Sequence, residues 1–127
     1  MTGLYADNSL LSSWRGGRAY YPYGLGTMFK DKGYNTYAYH NNSAYFQDRN
    51  VYLKNQGIDN FKGCYNGLEK LINCEQWPQS DVEMIKKTVS DYINNEEPFM
   101  TYYMTMSGHL NYTFTGNSMA ARHKDKV

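Results

Sequence analysis

The amino-acid sequence predicts an α/β fold in which parallel strands are joined by crossover helices. Two segments rich in strand-forming residues, 34–40 and 99–106, are separated by segments whose apolar residues have helical spacing. Strands that alternate with helices favour parallel pairing through right-handed crossovers. Because two or three such strands are too few for a parallel sheet covered on both faces to stand alone, we expect the chain to be part of a larger α/β domain.

The length and charge of the chain are typical of one globular domain that does not bind nucleic acid. The chain has 127 residues and a formal net charge of +1, and most domains contain about 100–150 residues. Without a basic stripe or an acidic tail, nucleic acid is not suggested as a partner. No apolar run reaches the ~18 residues of a membrane span. We therefore expect this chain to be soluble and any targeting segment of its parent protein to lie outside it.

The first elements in chain order are a loop, a helix and a strand. Residues 1–21 are rich in glycine and serine and predict a loop-rich lead-in. Pro22 suits the first turn of a helix, and Gly33 is a typical C-terminal stop for it. Residues 34–40 predict a strand, and the polar cluster at 41–43 predicts a turn.

A second helix is predicted over residues 44–56, closed by Gly57. Three of its residues are expected to provide the apolar contacts, namely Phe46, Val51 and Leu53. Residues 58–61 predict a short strand. Residues 62–78 follow as an irregular segment.

Ser80 and Glu83 predict the start of a third helix. They form a capping box, in which the serine hydroxyl accepts one free backbone N–H and the glutamate reaches back to another. Residues at helical spacing predict one apolar face, composed of Val82, Ile85, Val89 and Ile93. The helix is expected to end at 94–95. The nearly continuous β-prone run at 99–106 is typical of a strand buried on both faces, and residues 107–127 form a loop and a tail.

Cys64 and Cys74 flank one short segment. A disulfide between them would close a small loop in an oxidising compartment and would stabilise the fold by about 2–3 kcal/mol in the loop-entropy model. Two unpaired thiols are the alternative. Two cysteines without clustered histidines make a poor zinc site.

The candidate ligand-binding residues lie in the loops after the two main predicted strands. In open parallel sheets, ligands bind at the carboxyl ends of the strands. Four candidates follow the first strand and one follows the last: His40, Asn42, Phe46 and Arg49, then His109. If the two strands are neighbours, these loops open at the same edge, and we expect Arg49 and His109 to lie within about 10 Å of each other.

These side chains suit an anionic ligand. Arg49 has a planar fork that matches phosphate oxygens, and a histidine can donate a hydrogen bond or carry charge. Each residue also has an ordinary structural interpretation, with Arg49 paired to Asp48 or solvent and His109 capping a loop. Ser107 does not lie on a strand-to-helix elbow between glycines, so a serine triad is disfavoured.

Three stretches of the chain contain motifs in a characteristic order. They are residues 7–13, "DNSLLSS", residues 28–61, "MFKDKGYNTYAYHNNSAYFQDRNVYLKNQGIDNF", and residues 77–114, "WPQSDVEMIKKTVSDYINNEEPFMTYYMTMSGHLNYTF". Together they resemble lipoteichoic-acid-synthase-like proteins of the sulfatase and alkaline-phosphatase superfamily. The resemblance implies a partial alkaline-phosphatase-like fold.

The resemblance also implies a membrane-anchored enzyme at the extracellular face of the bacterial cell membrane. Such enzymes transfer phosphoglycerol from phosphatidylglycerol through a phospho-threonine, assisted by Mn²⁺ or another divalent metal. His109 matches the histidine that binds the phosphoglycerol headgroup, Arg49 the arginine of the same pocket, and Phe46 its aromatic neighbour. Gln47 replaces a tryptophan and Asn111 replaces a proline of better-known members. The resemblance therefore does not identify which headgroup is bound.

By the same resemblance, the metal ligands lie outside this chain, with a glutamate upstream and an Asp-His pair downstream of Val127. No metal ion is therefore expected in this part of the domain. The nucleophile falls at or just before Met1, and Thr2 is the candidate inside the chain. The chain is thus interpreted as the central part of one sulfatase-like catalytic domain, with part of a substrate pocket.

Two functions follow from these interpretations. The first is part of an extracellular, metal-dependent phosphoglycerol transferase or sulfatase-like enzyme that acts on phospholipid headgroups during synthesis of cell-envelope polymers. The alternative is a non-catalytic anion- or glycan-binding module derived from the sulfatase fold, and a fragment without a ligand is a third possibility. Exposed edges of an incomplete sheet also predict pairing with a second copy of the chain.

Overall fold

A parallel sheet of three strands organises the chain. The computed structural model describes residues 21–109 and 111–126. Within them β1 (Asn35–Ser43) lies between β2 (Asn60–Cys64) and β3 (Phe99–Met104), and both pairings are parallel. The α/β class with parallel strands is therefore confirmed.

Helices lie on both faces of this sheet. Among the described residues, the α-helices are α1 (Leu25–Lys30), α2 (Arg49–Asn55), α3 (Asp81–Thr88) and α4 (Ser118–Arg122). Short 3₁₀ turns occur at Phe46–Asp48, Leu68–Lys70, Val89–Asp91 and Lys124–Lys126. None of the helices in the described part of the chain has the length and apolar character needed to cross a membrane. Most of the predicted lead-in loop, including Thr2, lies outside the described residues.

The first helix begins later than the sequence predicts. It starts at Leu25, three residues after Pro22. It ends before Gly33, whose φ of +81° is the left-handed conformation expected of a C-terminal stop. The predicted stop is therefore confirmed.

The predicted turn at residues 41–43 is wrong, because β1 continues through this polar cluster to Ser43. Asn41 is fully buried there, and its side-chain amide donates to the backbone oxygen of Gln79 (3.1 Å) and to Asp81 Oδ1 (2.8 Å). These partners come from a distant part of the chain. They allow a residue that usually favours turns to remain in a buried strand.

The second helix is shorter than predicted. Gln47 and Asp48 have φ values of +56° and +52°, so residues 46–48 form only a 3₁₀ turn and the α-helix begins at Arg49. Leu53 is buried as expected, whereas Phe46 and Val51 are exposed. The helix closes before Gly57, which has a φ of +86°.

The second strand also differs from its predicted bounds. It begins at Asn60, two residues after the predicted start, and extends to Cys64. Ile58 is buried in the preceding connection. Cys64, at the end of this strand, forms a disulfide with Cys74.

The capping serine of α3 is present, since the Glu83 N–H donates to Ser80 Oγ at 3.2 Å. The predicted apolar face is wrong, because three of its residues are exposed by 40–61%, namely Val82, Ile85 and Ile93. The buried residues of this segment are Met84, Thr88 and Tyr92. Helical structure also ends at Asp91 rather than at 94–95.

Tyrosine hydroxyls on the sheet explain which face of α3 is buried. Tyr103 on β3 hydrogen-bonds the hydroxyls of Thr88 (2.9 Å) and Tyr92 (3.0 Å). A buried hydroxyl without a partner is costly, so the helix turns its hydrogen-bonding side chains toward the sheet. Burial of Tyr103, the largest effect on it, raises its pKa.

The last strand ends at Met104, earlier than predicted, and it is only partly buried. Met100 is the buried residue of its Phe99–Met104 span, so burial on both faces is not observed. Two hydrophobic clusters cover the sheet. One packs Tyr39 and Met84 with Leu68, Ile72 and Tyr92, and the other contains Ala38, Leu53, Ile58 and Met100.

Candidate functional site

The carboxyl ends of β1 and β3 lie side by side. His40 on β1 is in register with Met104 on β3. The two strands are thus neighbours, the condition on which the shared edge depended, and the loops that follow them open at one edge of the sheet.

His40 is held as a neutral imidazole with a defined tautomer. It is 2% exposed, its Nε2 lies 2.9 Å from Arg49 Nη1, and its Nδ1 lies 3.0 Å from the Met104 carbonyl oxygen. A guanidinium can only donate, so Nε2 accepts and Nδ1 carries the hydrogen that is donated to Met104. Burial lowers the pKa of His40, and the charge of Arg49 acts in the same direction.

Arg49 is fixed by several contacts but keeps hydrogen-bonding capacity. Its guanidinium carbon lies 4.9 Å from the centroid of the Phe46 ring, and Nη2 lies 3.5 Å from Gln47 Oε1. Within the described residues no ion pair joins it to Asp48. Its Nε is buried and has no hydrogen-bond partner among the residues that the structure describes. A buried, unpaired donor on a cation is the feature expected where an anion binds.

The backbone before α2 places this arginine. Gln47 and Asp48 both adopt the left-handed conformation, which is uncommon for residues other than glycine. The turn that results puts Arg49 at the first position of α2 and the exposed ring of Phe46 beside its guanidinium. Such backbone outliers tend to cluster at functional sites.

Asn42 lies at the same edge but makes a local contact. Its Oδ1 accepts the N–H of Ser43 at 2.7 Å. The structure thus brings His40, Arg49 and Phe46 into direct contact, whereas Asn42 orients the backbone beside them.

His109 lies in the loop that follows β3 and is exposed. Its ring meets that of Trp77 edge to face with centroids 5.3 Å apart, and its backbone N–H donates to the Met106 carbonyl oxygen at 2.9 Å. The expected separation of about 10 Å or less between His109 and Arg49 stays a prediction.

Two residues that order this edge were not predicted as site residues. The Asp81 carboxylate accepts backbone N–H groups from the loop after β3, and Asn117 Nδ2 donates to the His109 carbonyl oxygen at 3.0 Å. In the sequence, Asp81 has only the pattern of a helix start and Asn117 that of a cap. Their partners are 8–26 residues away in the sequence, a separation at which spacing rules do not operate.

No metal centre is formed by the part of the chain that the structure describes. Within residues 21–109 and 111–126, no group of three or more histidine, cysteine, aspartate or glutamate side chains is placed to hold a metal ion. These residues by themselves therefore do not form a ligand set for a divalent cation.

A separate groove of about 440 Å³ runs along β2. Its charged residues are already paired, since Lys62 Nζ lies 2.6 Å from Asp91 Oδ2, which also accepts the Tyr39 hydroxyl at 2.9 Å. Burial and the Asp91 carboxylate raise the pKa of Tyr39. The groove thus has no unpaired cation for an anionic ligand, unlike the edge at Arg49.

The comparison with known proteins covers nearly the whole chain. The family model described as Sulfatase matches residues 1–123. No curated protein matches the chain. The matched range includes both strand-end loops described above.

Proposed function

The chain belongs to the sulfatase family, and from this premise we propose that it supplies part of the substrate pocket of an extracellular phosphoglycerol transferase. Its parallel sheet and helices are part of an alkaline-phosphatase-like fold. The proposed ligand is the phosphoglycerol anion of a phospholipid headgroup, used in the synthesis of cell-envelope polymers.

One observation carries this proposal. The Arg49 guanidinium is fixed at the carboxyl end of the sheet by His40 and Phe46, and its buried Nε lacks a partner within the described residues. Donors held in place before the ligand arrives cost less to order on binding. A tetrahedral anion with several acceptor oxygens is the ligand that matches such a fork.

Each residue of the pocket has a proposed role. Arg49 binds the anionic oxygens, and neutral His40 orients Arg49 by accepting from Nη1. The exposed Phe46 ring packs against the glycerol carbons. His109 donates to the headgroup from the loop after β3, and Asn42 orients the backbone at the end of β1.

The bond-breaking chemistry is proposed for other parts of the protein. The family resemblance implies Mn²⁺ or another divalent cation, which supplies polarisation of phosphoryl oxygens when bound. The described residues do not form such a site. Thr2 stays the candidate nucleophile within the chain and lies outside the described residues. The disulfide between Cys64 and Cys74 supports an oxidising, extracellular location.

Titration of the chain with glycerol phosphate, followed by NMR, tests the proposed pocket. Replacing Arg49 by alanine should weaken binding by about tenfold or more, because hydrogen bonds to a charged group contribute about 1.5–3 kcal/mol. Arg122→Ala removes an exposed arginine of α4 and is the matched control. The ligand should also shift the signals of His109 more than those of His123.

Equal affinities of the wild type and R49A, in variants shown to be folded by thermal denaturation, would contradict the proposal. R49K is a useful intermediate, because lysine keeps the charge and lacks the planar fork. Parallel titration with a sulfate ester of glycerol measures whether the pocket binds the phosphate ester or the sulfate ester more tightly.

The alternative function is a non-catalytic anion- or glycan-binding module that uses the same pocket. The full-length parent protein distinguishes the two. Release of diacylglycerol from phosphatidylglycerol in the presence of Mn²⁺ supports the enzyme, whereas binding without turnover supports the module.

A further inference from the structure

The loop that contains His109 is attached to the fold at two points. It joins β3 to α4. The Ser107 N–H donates to a side chain outside the loop, and the His109 carbonyl oxygen accepts from another. The two side chains that hold it are Asp81, at the start of α3, and Asn117, the N-cap of α4.

Asp81 holds the beginning of this loop. Its Oδ1 accepts the Met106 N–H at 2.7 Å, and its Oδ2 accepts the Ser107 N–H at 3.1 Å. In return, the Asp81 backbone N–H donates to Ser107 Oγ at 3.0 Å. The contact is therefore reciprocal, with bonds in both directions between α3 and the loop.

The same carboxylate reaches the end of β1. Asp81 Oδ1 also accepts the side-chain amide of Asn41 at 2.8 Å, and Asn41 is the neighbour of His40 in the chain. His40, whose Nε2 accepts from Arg49, lies at this end of β1. One carboxylate thus connects the end of β1 with the loop that carries His109. Hydrogen bonds to an ionised acceptor are about twice as strong as neutral ones.

Asn117 holds the far end of the loop. It is 3% exposed, and its Oδ1 caps α4 by accepting the N–H groups of Met119 (3.0 Å) and Ala120 (2.9 Å). Its Nδ2 donates to the carbonyl oxygens of His109 (3.0 Å) and Ser107 (3.4 Å). The oxygen of this side-chain amide therefore caps α4, and its nitrogen holds the loop.

We propose that Asp81 and Asn117 are positioning residues, which fix the His109 loop relative to the strand end at His40 and so pre-organise the anion pocket. The proposal rests on the proposed function for the identity of the ligand. Its physical basis is that a loop ordered before binding does not have to be ordered by the ligand. Neither residue needs to touch the ligand for this effect.

Two isosteric variants test the positioning. D81N keeps the shape of the side chain but removes an acceptor, and N117D keeps the acceptor that caps α4 but removes the donor to the loop. Glu83→Gln is the matched control, because it removes one negative charge from the same helix without removing a bond to the loop.

Amide hydrogen exchange is the first measurement, made on the whole chain. In D81N the amides of Met106 and Ser107 should exchange faster by about tenfold, because the carboxylate that accepts both N–H groups becomes an amide with a single acceptor oxygen. In N117D the His109 amide, which donates to the Met106 carbonyl oxygen, should also exchange faster, because its loop loses the bond from Asn117 to the His109 carbonyl oxygen. Exchange within β1 should stay as in the wild type, and E83Q should match the wild type throughout.

Titration with glycerol phosphate is the second measurement. Both variants should bind about three- to tenfold more weakly. The ligand-induced shift at His109 should shrink, whereas the shift at the Arg49 side chain should persist. A general loss of stability cannot produce this split, because it would reduce both signals and accelerate exchange in β1 as well.

Each outcome decides something definite. Wild-type exchange at these loop amides in folded D81N and N117D would overturn the positioning role. If D81N does not fold, N117D decides, because it retains the helix cap. If the wild-type chain does not bind glycerol phosphate, the proposed function fails, and the exchange measurement alone then decides whether the loop is held in this way.

Discussion

The hydrogen bond between Arg49 and His40 depends on the protonation state of the buried His40 ring. Its neutral form accepts from Arg49 at Nε2 and donates to Met104 at Nδ1. A second proton would occupy Nε2 and abolish the acceptor for Arg49. The Asp81 carboxylate is the nearby opposite charge that favours the proton, but burial opposes it more strongly.

The free energy of unfolding should decrease as the pH falls below about 6.5. In the unfolded chain His40 takes up a proton near its ordinary pKa, whereas burial keeps the folded side chain neutral to a lower pH. Between these two values the unfolded state binds more protons, so acid favours unfolding. Urea denaturation at about pH 7.5 and about pH 5.5 measures the difference.

Variants separate this effect from the titration of other groups. His40→Gln removes the titrating side chain, so a smaller pH dependence than in the wild type is expected. His123→Gln, in the exposed tail, leaves His40 intact and should follow the wild type. An unchanged pH dependence in H40Q would contradict the assignment to His40.

At the scale of elements, α1 packs directly against the turn between α2 and β2. A Cβ atom on Gly57 would lie 2.1 Å from the Thr27 nitrogen, and one on Gly26 would lie 2.6 Å from the Gln56 carbonyl oxygen. These distances are too short for any side chain. The close approach of the two backbones therefore requires glycine on both sides.

Gly57→Ala should destabilise the fold much more than Gly33→Ala. Both glycines have a positive φ, at +86° and +81°, which costs an L-residue about 1–2 kcal/mol. Alanine at Gly33 would meet no atom within 4 Å, whereas alanine at Gly57 would also clash with α1, which adds about 1–3 kcal/mol. Equal losses in urea denaturation would show that the α1 contact is not tightly packed.

At the scale of the whole molecule, a small sheet is covered on both faces and stabilised by one cross-link within the described residues. The disulfide joins the end of β2 to the segment after the Leu68–Lys70 turn. Within this part of the chain β2 and β3 each have one neighbouring strand. Pairing of these edges with a second copy stays a prediction.

Reduction of the disulfide should lower the free energy of unfolding by about 2–3 kcal/mol, because the cross-link restricts the unfolded chain. This is a large part of the ~5–15 kcal/mol that stabilises a typical domain. Urea denaturation with and without a reductant measures it. The C64A/C74A double variant should be as stable as the reduced wild type and should not respond to the reductant.

Local patterns in the sequence predicted the order of the main elements and the parallel direction of the strands, and they placed the candidate residues at or after the ends of the strands. Gly33 and Gly57 end helices as predicted, because the left-handed conformation is a local property of glycine. The parallel direction of the strands followed from alternating strands and helices, whereas the direct pairing of β1 with β3 is a finding of the structure. These features depend on the local conformational preferences of residues and on the geometry of the connections, and short stretches of sequence are enough to predict both.

Which side chains meet depends on contacts between separate elements of the fold. The apolar spacing of Val82, Ile85 and Ile93 predicted the wrong face of α3. The buried face is instead the one on which Thr88 and Tyr92 hydrogen-bond the Tyr103 hydroxyl of β3. The contact of Arg49 with His40, and the bonds of Asp81 and Asn117 to the His109 loop, likewise join residues from separate elements. Buried polar groups form hydrogen bonds with partners anywhere in the fold, so the spacing of residues along the chain does not reveal which groups pair.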